Sequence, residues 1–147
     1  MFKQILVATF LTLFSLSLLA NANAKAKEQE VPNLAGMWVC YYKYGENTFV
    51  ECSMVLEQKD KIIKGKMIEV QTFGDEPSTG LSADINATFV KFNDVFMLKQ
   101  YDGSGGQQGR VVYNLSRSHN DSVLTGKWFI KDGPSGDVKF MRYVASN

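Results

Sequence analysis

The chain has 147 residues, and its 16 Lys and Arg nearly balance its 15 Asp and Glu, for a formal net charge of +1. Proteins that live on phosphate contacts normally carry a basic excess or a basic stripe, and this sequence has neither, so nucleic acid is not expected as a partner. The length allows one domain with its own core.

The first 24 residues have the layout of a secretory signal peptide. Lys3 precedes an apolar run from Ile5 to about Ala20, and the small residues ANA at 22–24 form an A-x-A cleavage site. The run is shorter than the roughly 18 residues that a membrane-spanning helix needs. Cleavage removes Lys3 and no acid, which leaves 15 bases and 15 acids. The sequence therefore predicts a periplasmic or secreted protein with no membrane span after cleavage.

After a polar leader at 25–32, which we expect to be disordered, residues 33–147 are predicted to form a single all-β domain. Short runs of Val, Ile, Phe, Tyr and Thr alternate with turn clusters, and no window has a helical apolar stripe. The predicted strands lie at 36–44, 48–58, 61–73, 81–91, 94–102, 109–117, 122–131 and 137–144. Mostly hairpin-length connections favour an eight-stranded antiparallel up-and-down barrel, which hides its edges by closing; a β-sandwich is the alternative.

The two cysteines lie on the first predicted hairpin. With its turn centred on Glu46, Cys40 faces Cys52 and Trp38 faces Met54, which brings the cysteine Cα atoms within disulfide range. An exported chain passes through an oxidising compartment, where such a pair is normally bridged. A redox pair would call for a C-x-x-C motif and a zinc site for four ligands, whereas the chain has two Cys and one His, so a structural disulfide outweighs both alternatives. The pattern predicts a structural disulfide on the inward face.

Side-chain alternation extends this inward face to other strands. A two-residue turn at 59–60 pairs Cys52 with Met67 and makes Glu69 and Gln71 the next inward positions. Two locations are possible for these polar residues. They could point into the barrel and hydrogen-bond a ligand, or a bulge could move them to the solvent-exposed rim. We favour the rim.

A turn centred between positions 119 and 120 pairs Tyr113 with Gly126 and Val111 with Trp128. The inward residues that form the candidate ligand pocket are Trp38, Tyr42, Met67, Glu69, Gln71, Tyr113 and Trp128. Core packing is the simpler role for each aromatic member, and a core filled by Trp38, Tyr42, Met67, Tyr113 and Trp128 would remove the ligand hypothesis.

No motif indicates catalysis. The loop DGSGGQQGR at 102–110 lacks the G-K-[ST] ending of a phosphate-binding loop, and His119 has no evident triad partner. The sequence therefore predicts a protein that is not an enzyme and has no cofactor and no metal.

The segment LAGMW at 34–38 resembles the opening strand of calycin-type barrels, which include the lipocalin, fatty-acid-binding and avidin families. The pattern recurs as LTGKW at 124–128 and more loosely as IKGKM at 63–67, and residues 109–141 are similar to the later strands of avidin-like proteins. The resemblance implies a barrel with an interior cavity or core and a binding role. Biotin binding is not implied, because Cys40, Met67 and Glu69 occupy the positions that match its biotin ligands. The lipocalin T-D-Y element is not visible.

These features together predict an exported small β-barrel that binds a small, mainly apolar molecule in its interior. The alternative is a protein-interaction module, such as an inhibitor or immunity protein of a cell-envelope enzyme, that contacts its partner through the loops at 74–80 and 102–109. The sequence gives no indication of the oligomeric state.

Overall fold

The computed structural model describes residues 30–73, 76–77, 80–118 and 120–145. The predicted signal peptide and residues 25–29 of the predicted leader lie outside this part of the chain. Within it, no helix has the length and apolarity needed to span a membrane.

Eight antiparallel strands form a closed up-and-down barrel, and one two-residue strand lies beside them. The strands are β1 (Gly36–Lys43), β2 (Thr48–Lys59), β3 (Ile62–Phe73), β4 (Glu76–Pro77), β5 (Leu81–Phe89), β6 (Asp94–Tyr101), β7 (Arg110–Arg117), β8 (Val123–Phe129) and β9 (Ser135–Arg142). Around the ring the order is β2-β1-β9-β8-β7-β6-β5-β3, and pairing of β2 with β3 completes it. The predicted all-β barrel is confirmed and is consistent with a calycin-like barrel.

Three differences from the predicted elements are small. The short strand β4 pairs with the end of β3 and is too short to produce a periodic pattern. A single 3₁₀ turn, Ser104–Gly106, lies in the connection between β6 and β7. The last strand begins at Ser135, two residues before the predicted start at 137.

The register of the first hairpin is confirmed. Cys40 pairs with Cys52 and Trp38 pairs with Met54. The two sulfurs are bonded, and the two Cα atoms are 4.9 Å apart. Trp38, Cys40 and Tyr42 are buried, so the face that carries the disulfide is the interior of the barrel.

The predicted registers of two other hairpins are wrong by two residues. Cys52 pairs with Glu69, and Tyr113 pairs with Trp128. Both turns lie later than predicted because Asp60 and Asp121 adopt left-handed backbone conformations with φ of 55° each. A shift of two residues keeps the alternation of side chains, so the predicted inward residues remain inward.

The segment before β1 closes one end of the barrel. We call this the lower end, and it carries the β2–β3, β5–β6 and β7–β8 hairpins. Leu34 is fully buried there. Its carbonyl accepts a 3.0 Å hydrogen bond from Trp38 Nε1, and its N–H donates to Gln58 Oε1 at 2.7 Å. Arg142 Nη2 donates to the Asn33 carbonyl at 2.7 Å. The opposite end, which we call the upper end, carries the β1–β2, β6–β7 and β8–β9 connections.

The repeated glycine motif has a structural cause. A Cβ atom at Gly65 would lie 2.1 Å from the Val55 carbonyl oxygen, and one at Gly126 would lie 2.0 Å from the Asn114 carbonyl oxygen. Glycine is therefore required because the neighbouring backbone approaches so closely. The residues two positions later, Met67 and Trp128, are buried in the interior.

We expect Gly126→Ala to lower the free energy of unfolding by about 1–3 kcal/mol, because the added methyl group must displace the β7 backbone. Urea unfolding measures this loss. Gly109→Ala is the matched control, since its Cβ would meet no atom within 4 Å. Equal stability of the two variants would contradict the close approach.

Alkylation of the native protein without reductant is expected to add no mass, because both thiols are bonded; addition of two alkyl groups would contradict the disulfide. Reduction should lower the free energy of unfolding by about 3 kcal/mol, since the bridge constrains the unfolded chain. Urea unfolding with and without reductant measures the difference.

Candidate functional site: an interior polar cluster

A group of polar side chains lies inside the upper half of the barrel. It consists of Tyr42, Glu69, Lys99 and Tyr101, which we call the interior polar cluster. Glu69 is 1% exposed and Lys99 is 0% exposed. Charged side chains are rarely buried to this extent unless they are paired, and these two form an ion pair with Lys99 Nζ 2.7 Å from Glu69 Oε1.

Hydrogen bonds join all four members of the cluster. Tyr101 Oη donates to Glu69 Oε2 at 2.6 Å, and Tyr42 Oη donates to Glu69 Oε1 at 3.3 Å. Lys99 Nζ also donates to Tyr101 Oη at 2.9 Å. The carboxylate thus accepts from three donors, which is the condition for keeping a charge in the interior.

Strand alternation places these side chains together. On β6, Val95 and Met97 are buried, and Lys99 continues the same inward series. On β3, Met67 and Glu69 are buried in the same way. The two strands are not neighbours in the sheet, since β5 lies between them. Curvature of the closed wall is what brings their inward side chains into contact.

The electrostatics keep the tyrosine hydroxyls protonated. Burial, followed by the charge of Glu69, raises the pKa of Tyr42 and of Tyr101 well above the ordinary value of a phenol. Burial likewise raises the pKa of Tyr113. Burial lowers the pKa of Lys99, and the Glu69 carboxylate opposes that effect. The phenols therefore serve the site as hydrogen-bond donors.

Two further buried donors adjoin the cluster without acceptors. Trp128 Nε1 is shielded from solvent and has no hydrogen-bond partner. Tyr113 Oη is also shielded, and it lies beside the Tyr42 hydroxyl without the alignment of a full hydrogen bond. The Tyr113 ring centroid is 5.9 Å from Lys99 Nζ. The Trp128 ring packs against Tyr42 and Tyr44, with centroid distances of 5.8 and 5.3 Å. Leaving a buried donor unpaired costs about 1–3 kcal/mol, so an incoming acceptor group would be favoured here.

The structure brings together four of the seven predicted pocket residues: Tyr42, Glu69, Tyr113 and Trp128. All five aromatic or apolar members belong to the buried hydrophobic core, which is the core-packing role expected as the simpler one: Trp38, Tyr42, Met67, Tyr113 and Trp128. The backbone of Gln71 pairs with Val50, and its side chain lies outside the described part of the structure. The favoured rim placement is wrong for Glu69, because β3 pairs regularly with β2 and no bulge reverses its direction.

Lys99 and Tyr101 are not among the predicted pocket residues. The signal was present in the segment DVFMLKQY at 94–101, where the alternation places Lys99 on the same face as Val95 and Met97. A lysine on the apolar face of a strand indicates a buried partner of opposite charge. Its partner, Glu69, is 30 residues earlier in the chain, and no local pattern connects the two.

No family model, curated protein or solved structure matches this chain. The cluster is therefore interpreted from its own chemistry. Among the described residues, no group of three or more His, Cys, Asp and Glu side chains is arranged to hold a metal ion. What the arrangement can do is donate hydrogen bonds from Tyr113, Trp128 and the ammonium group of Lys99.

We expect Lys99→Met to lower the free energy of unfolding by about 3–5 kcal/mol, because it leaves the Glu69 carboxylate buried without a counter-charge. Adding Glu69→Gln should recover most of that loss, since the amide oxygen still accepts from the tyrosines while the charge is removed. Urea unfolding of the two single variants and the double variant measures the coupling.

Lys66→Met is the matched control, because the ion pair of Lys66 with Asp84 is exposed and should contribute little. A double variant that loses as much as the two single variants together would contradict the proposed coupling.

Proposed function

We propose that this protein is an exported barrel that binds a small, mainly apolar molecule at its upper end, with a polar acceptor group of the molecule directed at Tyr113 and Trp128. The observation that carries the proposal is the pair of buried, unpartnered donors next to a buried ion pair. Protein interiors normally satisfy such groups, and those that remain are frequent at binding sites.

The chemistry of the donors defines the polar group of the ligand. The phenol of Tyr113 stays protonated, and an indole N–H is always a donor. Both therefore require an acceptor, such as a carbonyl, ether or carboxyl oxygen. The charge of Lys99 is already balanced by Glu69, so a neutral acceptor fits the site without an additional uncompensated charge.

The surroundings of the donors define the rest of the ligand. Tyr42 and Trp128 are buried and pack with Tyr44, so an apolar or planar body would have to insert among these rings. Below the cluster, Trp38 and Met67 fill the interior as core residues. The proposed ligand is thus confined to the upper end and is small.

We also propose that the protein is exported and that it is a lipocalin-like or avidin-like binding protein. They are supported by the signal-peptide pattern at 1–24, by the disulfide and by the eight-stranded barrel.

Native mass spectrometry of the protein purified from the periplasmic or secreted fraction is the test. We expect a mass in excess of the polypeptide that is released on denaturation. Tyr113→Phe should lower the occupancy of the bound molecule without lowering the free energy of unfolding, because it removes only an unpartnered hydroxyl. Tyr143→Phe, at an exposed tyrosine, is the matched control.

A bare polypeptide mass, or equal occupancy in the two variants, would overturn the proposal. Copurification of a stoichiometric protein in place of a small molecule would support the alternative role as an inhibitor or immunity protein.

A further inference from the structure

An apolar patch lies on the outer wall of the barrel, across the neighbouring strands β2, β1 and β9 and the residue that follows β9. Its side chains alternate with the buried ones on each strand and therefore point outward. Five of them are 43% to 57% exposed, and Val39 is half-buried. We call this set the outer patch, and its members are Met37, Val39, Tyr41, Val55, Met141 and Tyr143.

Strand pairing makes the outer patch one continuous surface. Met37 pairs with Val55 on one side, and its carbonyl accepts a 2.8 Å hydrogen bond from Tyr143 N–H on the other. Val39 pairs with Met141 in the same way. Side chains of directly paired residues are in reach of one another. Single exposed apolar residues are normal on a protein surface, whereas a contiguous group of them marks an interaction surface.

One end of the outer patch has charges of opposite sign on its two sides. Tyr41 on β1 pairs with Glu51 on β2. On the other side, the register that pairs Val39 with Met141 places Lys139 beside Tyr41. Glu51 and Lys139 are both exposed, and the ion pairs among the described residues include neither of them. The central strand β1 thus has a free acid on one flank and a free base on the other.

A twofold axis along β1 makes this surface complementary to itself. In a face-to-face contact, such an axis places the β2 side of one copy against the β9 side of the other. Glu51 then faces Lys139 of the second copy, and Val55 faces Tyr143 of the second copy. Met37 lies on the axis and meets its own counterpart. The formal net charge of +1 adds little repulsion between two copies.

We propose that the outer patch is the interface of a homodimer with its twofold axis along β1. A different protein would have to present an apolar face with the same two charges in reversed positions, which a second copy supplies by symmetry. The contact spans only three strands, so we expect a weak dimer with a dissociation constant of about 1–100 μM. This role is independent of ligand binding in the interior.

Sedimentation velocity of the protein purified from the periplasmic or secreted fraction is the test. We expect the sedimentation coefficient to rise from that of a monomer to that of a dimer between about 1 μM and 1 mM. Met37→Glu should raise the dissociation constant by about tenfold or more, because it places two like charges together at the axis. Val90→Glu is the matched control, since it makes the same kind of change at an exposed apolar residue between β5 and β6 and should leave the dimer unchanged.

Exchange of the two flanking charges tests the arrangement of the copies. Glu51→Lys alone and Lys139→Glu alone should each weaken the dimer by about tenfold, because like charges then face one another. The double variant Glu51→Lys/Lys139→Glu should restore it, because opposite charges face one another again.

A double variant as weak as the single variants, a monomer at about 1 mM, or equal effects of Met37→Glu and Val90→Glu would overturn the proposal. So would a different protein that copurifies in stoichiometric amount with the native chain and is lost from Met37→Glu.

Discussion

Three residue pairs between β1 and β9 close the barrel, and the rest of the structure depends on that short ladder. Cys40 is its last member on β1, where it pairs with Phe140 on one side and is bonded to Cys52 on the other. The disulfide thus joins β1 to β2 at a residue that also pairs with β9. The wall that this ladder closes encloses the hydrophobic core.

The interior divides along the same axis. The lower half is apolar and is closed by Leu34, held through Gln58 and Arg142. The upper half contains the Lys99–Glu69 pair and two donors without acceptors. A buried ion pair contributes little net stability compared with apolar residues of similar size, because both charges lose their hydration. A stable core alone does not require such a group, and this is why the proposed binding is placed in the upper half.

The glycine motif that suggests a family resemblance has a mechanical role in this barrel. Gly65 and Gly126 lie where a neighbouring backbone carbonyl leaves no room for a Cβ atom, and each is followed two positions later by a large inward side chain. Any tightly curved wall imposes the same requirement. The motif therefore reports the geometry of the wall, whereas the chemistry of the interior depends on residues outside it, such as Lys99.

The sequence by itself determined the fold class, the strands, the disulfide and the inward face, because these follow from alternation along single strands and from one short hairpin. It also located Tyr42, Glu69, Tyr113 and Trp128 on that face. The tertiary structure decided what these residues meet. Two hairpin registers depended on left-handed Asp60 and Asp121, a backbone choice that a composition pattern does not specify. The pairing of Glu69 with Lys99 and the pairing of β1 with β9 depend on how the wall curves and closes, and both join residues that are distant in the chain.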